Sequence, residues 1–177
     1  MEIVELKFKG IKKIIPPIYP DERGAFLEMF QEKKYEEILD VKFVQDNLSI
    51  SKFGVIRGMH FQSTPGQGKL VSVIKGRILD VFVDIDKSSE TFGEYGAIEL
   101  DDQKRAQLYI PVGYAHGFCV LSEEAIVQYK VTNYFDPKTE KGFLYKDPSL
   151  NIRWPISNPI LSLKDASSPL FKEVFNV

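Results

Sequence analysis

Histidine and cysteine are scarce in this chain. Its 177 residues include two histidines, His60 and His116, and one cysteine, Cys119. A lone cysteine cannot form an internal disulfide, and it fits a reducing compartment. Two histidines with no cysteine cluster make a poor shell for a transition metal, so no metal is expected. An excess of one charge is missing too: 23 Lys+Arg against 25 Asp+Glu leave a formal net charge of −2. No basic field invites nucleic acid, and no polybasic patch invites a membrane surface. No apolar run nears the roughly 20 residues of a membrane-spanning helix. The opening residues, 1–9, lack the charged-then-apolar layout of a signal peptide. Repeats, low-complexity segments and linkers are absent as well. The expectation is one cytoplasmic domain over residues 1–177, with a substantial core and no nucleic-acid or membrane partner.

What is present is a series of short β-like runs. Residues 2–9 alternate, with Val4, Leu6 and Phe8 opposite Glu5, Lys7 and Lys9, which predicts a half-buried strand. Pro16, Pro17 and Pro20 hold the next stretch extended and outside any central ladder. Asp21-Glu22-Arg23-Gly24 reads as a turn. After it, residues 25–30 look strand-like, with Phe26, Glu28 and Phe30 on one face. Gln31 to Asp40 is polar, lacks Gly and Pro, and predicts one short helix. In residues 43–51, period 2 sets Val44, Asp46, Leu48 and Ile50 against Gln45, Asn47, Ser49 and Ser51. That second, neutral face suits either solvent or the polar interior of a small ligand-holding barrel. Further strands are predicted at 56–62, 69–74, 78–86, 94–100, 106–110, from near 116, and at 125–132. From Asp136 onward, proline-marked turns predict an irregular tail. Short strands about ten residues apart mean an antiparallel sandwich or barrel.

The hairpin from Gly54 to Lys69 carries unusual polar cargo. Arg57, His60, Gln62 and Lys69 sit among residues of β-core type, where polar groups need partners or a purpose. Gly66-Gln67-Gly68-Lys69 resembles the end of a phosphate loop, but Ser63 stands where the first glycine belongs, and Leu70 follows the lysine. Strict alternation puts Arg57 and His60 on opposite strand faces. A bulge or bend at Gly58 would bring them together, or else Arg57 would reach around the mouth of a barrel.

Pro111, Gly113 and His116 resemble the second motif of the cupin barrel, with the His60 hairpin as the first. The resemblance implies an all-β, double-stranded jelly roll with a few short helices and an irregular C-terminal tail. Metal-binding cupins carry His-x-His in the first motif, whereas Gln62 stands two residues after His60 here. The metal-free branch fits better. Asp21-x-Arg23-Gly24-x-Phe26-x-Glu28, Gln45-x-Asn47, Arg57-Gly58-x-His60-Phe61-Gln62 and Lys69-Leu70-Val71 come first in the chain. Pro111-x-Gly113-x-Ala115-His116-Gly117-Phe118, Tyr129-Lys130-x-Thr132, Asp147-Pro148-x-Leu150-x-Ile152-x-Trp154-Pro155 and Leu161-Ser162-x-Lys164-Asp165 follow in order. Together they resemble the dTDP-4-dehydrorhamnose 3,5-epimerase family, from near residue 20 to near residue 165.

The resemblance implies an isomerase without cofactor, acting on a dTDP-4-keto-6-deoxy sugar, and a homodimer that often exchanges an N-terminal strand. Inverting a stereocentre beside a ketone needs a base, a group to stabilise the enolate, and an acid on the opposite face. Histidine suits the base at neutral pH, a lysine ammonium can stabilise the enolate, and a tyrosine can return the proton. On the family pattern His60, Lys69 and Tyr129 take these roles, and Asp165 orients the histidine. Arg23 and Arg57 suit the diphosphate, where a planar fork outperforms a point charge. Glu28, Gln45, Asn47, His116, Glu140 and Lys164 carry over as nucleotide or sugar contacts. Phe135 matches an aromatic position, often tyrosine, that stacks on thymine. A single-site epimerase or ketoisomerase of a related deoxysugar, a sugar-binding cupin without catalysis, and a metal-dependent cupin are the alternatives.

Overall fold

Alternation in the central strands decides what faces inward. In the computed structural model, which describes residues 1–177, two antiparallel sheets face each other across that interior. The six-stranded sheet runs β1 (Glu2–Glu5), β2 (Lys12–Ile15), β10 (Gln107–Ile110), β7 (Lys69–Lys75), β12 (Glu124–Val131) and β5 (Gln45–Lys52). The five-stranded sheet runs β13 (Glu140–Gly142), β6 (Ile56–Gln62), β11 (Tyr114–Val120), β8 (Arg77–Asp84) and β9 (Tyr95–Asp101). A small hairpin, β3 (Tyr19–Asp21) and β4 (Gly24–Phe26), stands apart. This is the antiparallel barrel that the strand spacing predicts and the jelly roll that the resemblance implies.

Every second residue of β7, β8, β11 and β12 enters one apolar cluster between the sheets. Val71, Val73, Ile78, Phe82, Phe118, Val120, Ala125 and Val127 meet there. The alternate residues pack outward. Leu70 and Tyr109 join Ile14, Tyr35 and Leu39 under helix α1 (Glu32–Leu39). Gln31 caps that helix by accepting from the Lys34 N–H, and Asp40 ends it in the left-handed region at φ 53. Tyr35 and Leu39, four residues apart, form its buried stripe. Burying two such side chains contributes about 1.5–3 kcal/mol each.

Behind the five-stranded sheet, Met59, Phe61, Val81, Val83 and Ala115 are covered by Phe143, Leu150 and Phe171. The tail is therefore more ordered than its prolines suggest. It forms α2 (Leu163–Ala166) and α3 (Phe171–Phe175), and the Asp147 carboxylate anchors it by accepting from the Phe171 N–H at 2.7 Å.

Three expectations need correction. Residues 2–9 are not a half-buried strand: β1 covers only Glu2–Glu5 and is exposed throughout, because it is an edge strand with nothing packed on its faces. Phe8 reaches the core from the turn that follows. The strand expected at 25–30 stops at Phe26, so Phe26, Glu28 and Phe30 do not share a strand face. Three strands are also added, β2 before the prolines, β3 at Tyr19–Asp21 and β13 in the tail, all defined by their ladder partners rather than by any alternation of their own.

Candidate active site

At one end of the barrel the apolar interior gives way to a polar cavity of about 760 Å³. Its walls come from both sheets. The neutral face of β5 turns inward, so Gln45, Asn47 and Ser49 line the cavity rather than face bulk solvent. Gln45 donates to the Asn47 side-chain oxygen at 2.8 Å and accepts from the Phe135 N–H at 3.0 Å. Phe135 thus stays at the mouth, half exposed, with its ring available to a ligand.

Arg57 and His60 do share this cavity. Pairing between β6 and β11 runs His116 opposite His60 but Phe118 opposite Arg57, so β6 holds one extra residue there. Gly58 and Met59 occupy that bulge, and Met59 points into the outer cluster. Glycine is required at 58 twice over. Its φ is +124, and a Cβ would lie 2.6 Å from Gly117 Cα. The bend expected from the sequence is therefore present, and it re-aims Arg57 inward. Arg57 Nε donates to Ser51 Oγ at 3.0 Å.

His60 Nε2 lies 2.6 Å from Asp165 Oδ1, with the two side chains 27 % and 5 % exposed. A carboxylate here only accepts, so Nε2 carries the hydrogen and Nδ1 is left free to take a proton. Burial alone would raise the Asp165 carboxyl, but the bond and charge of His60, the Ser162 hydroxyl and the Gly58 N–H together hold it below its ordinary value. Ser162 also caps α2 by accepting from the Asp165 N–H at 3.0 Å. Asp165 thus gives only its backbone N–H to the cap, while its carboxylate faces His60.

Tyr129 stands on the opposite wall, on β12, between Asn47 of β5 and Val71 of β7. Burial raises its phenol above the usual range, helped by Glu140 and opposed by Arg57, so it is protonated at neutral pH. Lys69 opens β7 on the same wall. Burial lowers its ammonium to about 8, while Asp80 and Glu140 pull the other way. His116 lies inside, where Nε2 meets Asp80 Oδ2 at 2.9 Å. Lys164 pairs with Glu140 at the rim. Glu140, which falls in the tail expected to be irregular, belongs instead to β13, opposite Gln62.

Eleven of the thirteen residues picked from sequence line this one cavity. Arg23 and Glu28 do not. Arg23 sits on the β3–β4 turn, with its guanidinium engaged by Asp21 at 2.6 Å and its side chain 85 % exposed. Glu28 pairs with Lys34 at 2.7 Å. Sequence reasoning missed Asp80, which is fully buried on β8 between Ile78 and Phe82 of the central cluster. The signal was an acid at a core position of a strand. No group of three or more His, Cys, Asp and Glu side chains is gathered as a metal would require. Each histidine is already engaged by one aspartate.

Fold and cavity together give a jelly-roll barrel in which acid and base groups face one cavity. The sequence profile of dTDP-4-dehydrorhamnose 3,5-epimerase matches residues 5–173, and the chain belongs to that family. It is 45% identical over 174 residues to the Shigella flexneri dTDP-4-dehydrorhamnose 3,5-epimerase, covering 97% of this chain and 96% of the relative. A crystal structure of the Legionella pneumophila dTDP-6-deoxy-D-glucose-3,5-epimerase in complex with dTDP-4-keto-L-rhamnose superposes with a TM-score of 0.92. Identity is 48%, covering 96% of this chain and 92% of that one. A dTDP-4-dehydrorhamnose 3-epimerase of Streptomyces niveus is 38% identical over 176 residues, covering 98% of this chain and 85% of the relative.

Proposed function

We propose that this protein inverts C3 and C5 of dTDP-4-dehydro-6-deoxy-D-glucose, without metal or cofactor, to give dTDP-4-dehydro-L-rhamnose. One observation carries the reading. His60 of the five-stranded sheet, paired with Asp165 of α2, faces Tyr129 and Lys69 of the six-stranded sheet across a single cavity. His60 Nδ1 takes the proton α to the C4 ketone, and Asp165 stabilises the imidazolium that results. The Lys69 ammonium stabilises the enolate oxygen. Tyr129 returns a proton from the opposite wall, and delivery from the opposite face is what inverts the centre. Arg57 at the opening binds the diphosphate, and Phe135 stacks on the base. Gln45, Asn47, His116, Glu140 and Lys164 hold the nucleotide and sugar.

A homodimer belongs to the proposal. Strand β5 is a sheet edge with Leu48 and Ile50 each 59% exposed, a surface that invites pairing. Arg23 and Glu28 act on substrate only where a second copy brings them to the rim, because they lie outside this chain's own cavity. The protein is assigned to the cytoplasm, and no helix is long and apolar enough to cross a membrane.

The test is NMR of the product formed from dTDP-4-dehydro-6-deoxy-D-glucose in deuterated water. Deuterium at both C3 and C5 with inverted configuration is expected. Inversion at C3 alone would move the activity to that of the 3-epimerase relative. Absence of any exchange would refute the catalytic reading.

A further inference from the structure

We propose that Asp80 is a positioning residue, whose buried carboxylate holds His116 in place and lends compensating negative charge to the Lys69 ammonium. The inference rests on the site reading above, and adds to it a group that does not line the cavity.

Asp80 lies on β8 between Ile78 and Phe82, both members of the central apolar cluster, and it is fully buried. A carboxylate in such a place costs several kcal/mol unless it is paired and hydrogen-bonded. Here it is only half satisfied. Oδ2 meets His116 Nε2 at 2.9 Å, while Oδ1 has no hydrogen-bond partner. A carboxylate kept only for stability would have both oxygens bonded, or would be replaced by an apolar side chain of similar volume. The unpaired oxygen leaves negative charge directed into the barrel interior.

The group that gains from this charge is Lys69. Its ammonium has no hydrogen-bonding partner, and the two acids that act on it are Asp80 and Glu140. Glu140 of β13 is already paired with Lys164 of α2. The other ionisable groups lining the cavity are His60 and Arg57 of β6, His116 of β11, Tyr129 of β12 and Asp165 of α2. Of the acids, Asp165 is committed to His60. Asp80 is therefore the acid with an oxygen to spare. Burial has already brought Lys69 down to about 8, so the lysine is charged at neutral pH by a narrow margin. An enolate needs that charge.

The sign follows directly. Removing the Asp80 charge lowers the Lys69 pKa further, so less ammonium survives near neutrality. The alkaline limb of the kcat/KM profile then moves to lower pH, by about one unit for an opposite charge at close range. At pH 8 this is roughly a five- to sixfold loss, against a loss of only about a tenth at pH 6.

The experiment compares pH profiles of kcat/KM for the unaltered chain, Asp80→Asn, Lys69→Met and the double variant. Asp80→Asn is expected to shift the alkaline limb to lower pH. The substitution should add little to the residual activity of Lys69→Met. Asp80→Ala is run in parallel, with added formate expected to restore part of the lost rate at pH 8. An unmoved alkaline limb in Asp80→Asn overturns the proposal, even if the variant is less stable. Inability of both Asp80 variants to fold overturns it too, because the carboxylate would then be structural. Failure of the site reading is a separate result: the unaltered chain would show no solvent exchange at all. With normal exchange in the unaltered chain and no limb shift in Asp80→Asn, only the Asp80 inference falls.

Discussion

Replacing Asp165 by Asn tests how the base is armed. The substitution keeps size and leaves the Ser162 cap intact, since that bond uses the Asp165 backbone N–H. What disappears is a carboxylate 2.6 Å from His60 Nε2 and almost fully buried. A hydrogen bond to a charged group contributes about 1.5–3 kcal/mol. If that bond is strongest when the imidazole has taken a proton, its loss raises the barrier by that amount. At about 1.36 kcal/mol per tenfold, kcat falls roughly 10- to 150-fold. A second route makes the loss larger. The new amide can donate to Nε2, which drives the ring hydrogen onto Nδ1 and blocks the atom that must take the substrate proton. A wrong tautomer in a comparable histidine–carboxylate pair costs about 10⁴ in kcat. Asp165→Asn should therefore lose at least tenfold in kcat, with solvent exchange at the substrate carbons slowed in step. Affinity for dTDP should stay unchanged, because Asp165 acts through His60. Steady-state rates, proton exchange by NMR and calorimetric titration with dTDP measure the three quantities. A loss below about threefold in a folded variant would refute the role of Asp165.

The two proton-handling residues should separate in deuterated solvent. His60→Ala abolishes exchange, whereas Tyr129→Phe keeps some exchange with retained configuration and loses about 10²–10⁴-fold in inverted product. Near-normal inversion by Tyr129→Phe would make that tyrosine a core aromatic only. Arg57→Lys keeps the charge but not the bidentate fork, so calorimetry should show weaker dTDP binding by a folded variant, and unchanged affinity removes Arg57 from the site. Gly58→Ala must fit a Cβ 2.6 Å from Gly117 Cα at φ +124. Strain of this kind costs about 1–3 kcal/mol, and thermal unfolding should show a melting temperature lower by roughly 2–12 °C. An unchanged melting temperature with full activity would mean the bulge is not required.

How far the fold and site could be read beforehand depends on which contacts are local. Strands β5, β8 and β12 were legible as strands because their own residues alternate with period 2. The helix was legible to its caps, Gln31 and Asp40, because capping is chemistry between residues three or four apart. β13 was not legible. Glu140-Lys141-Gly142 has no strand pattern, and only the ladder with Phe61 and Gln62 makes it one. β1 failed in the opposite way: its alternation is real, but an edge position with bare faces leaves every residue exposed. The face of β5 shows the limit most clearly. Its neutral residues fitted solvent and cavity equally, and closure of the barrel by the other sheet decided the matter.

Asp165 holds the last lesson about function, because two local patterns compete for it. Ser162-Leu163-Lys164-Asp165 carries an acid three residues after a serine, which marks a helix start with the acid's carboxylate folded back on the cap. In the structure only half of that box forms. Ser162 accepts from the Asp165 N–H, but the carboxylate does not fold back on the cap's backbone N–H and is bonded instead to His60, 105 residues earlier in the chain. A short helix is weak alone, and giving up half of its cap costs it about 1 kcal/mol or less. It is held instead by the tail behind it, where Asp147 clamps Phe171 and Phe171 packs with Met59 and Phe61 on the back of β6. His60 is on the front of that same strand. The tail therefore fixes acid and base relative to each other through one strand, which frees the Asp165 carboxylate from capping and commits it to the imidazole.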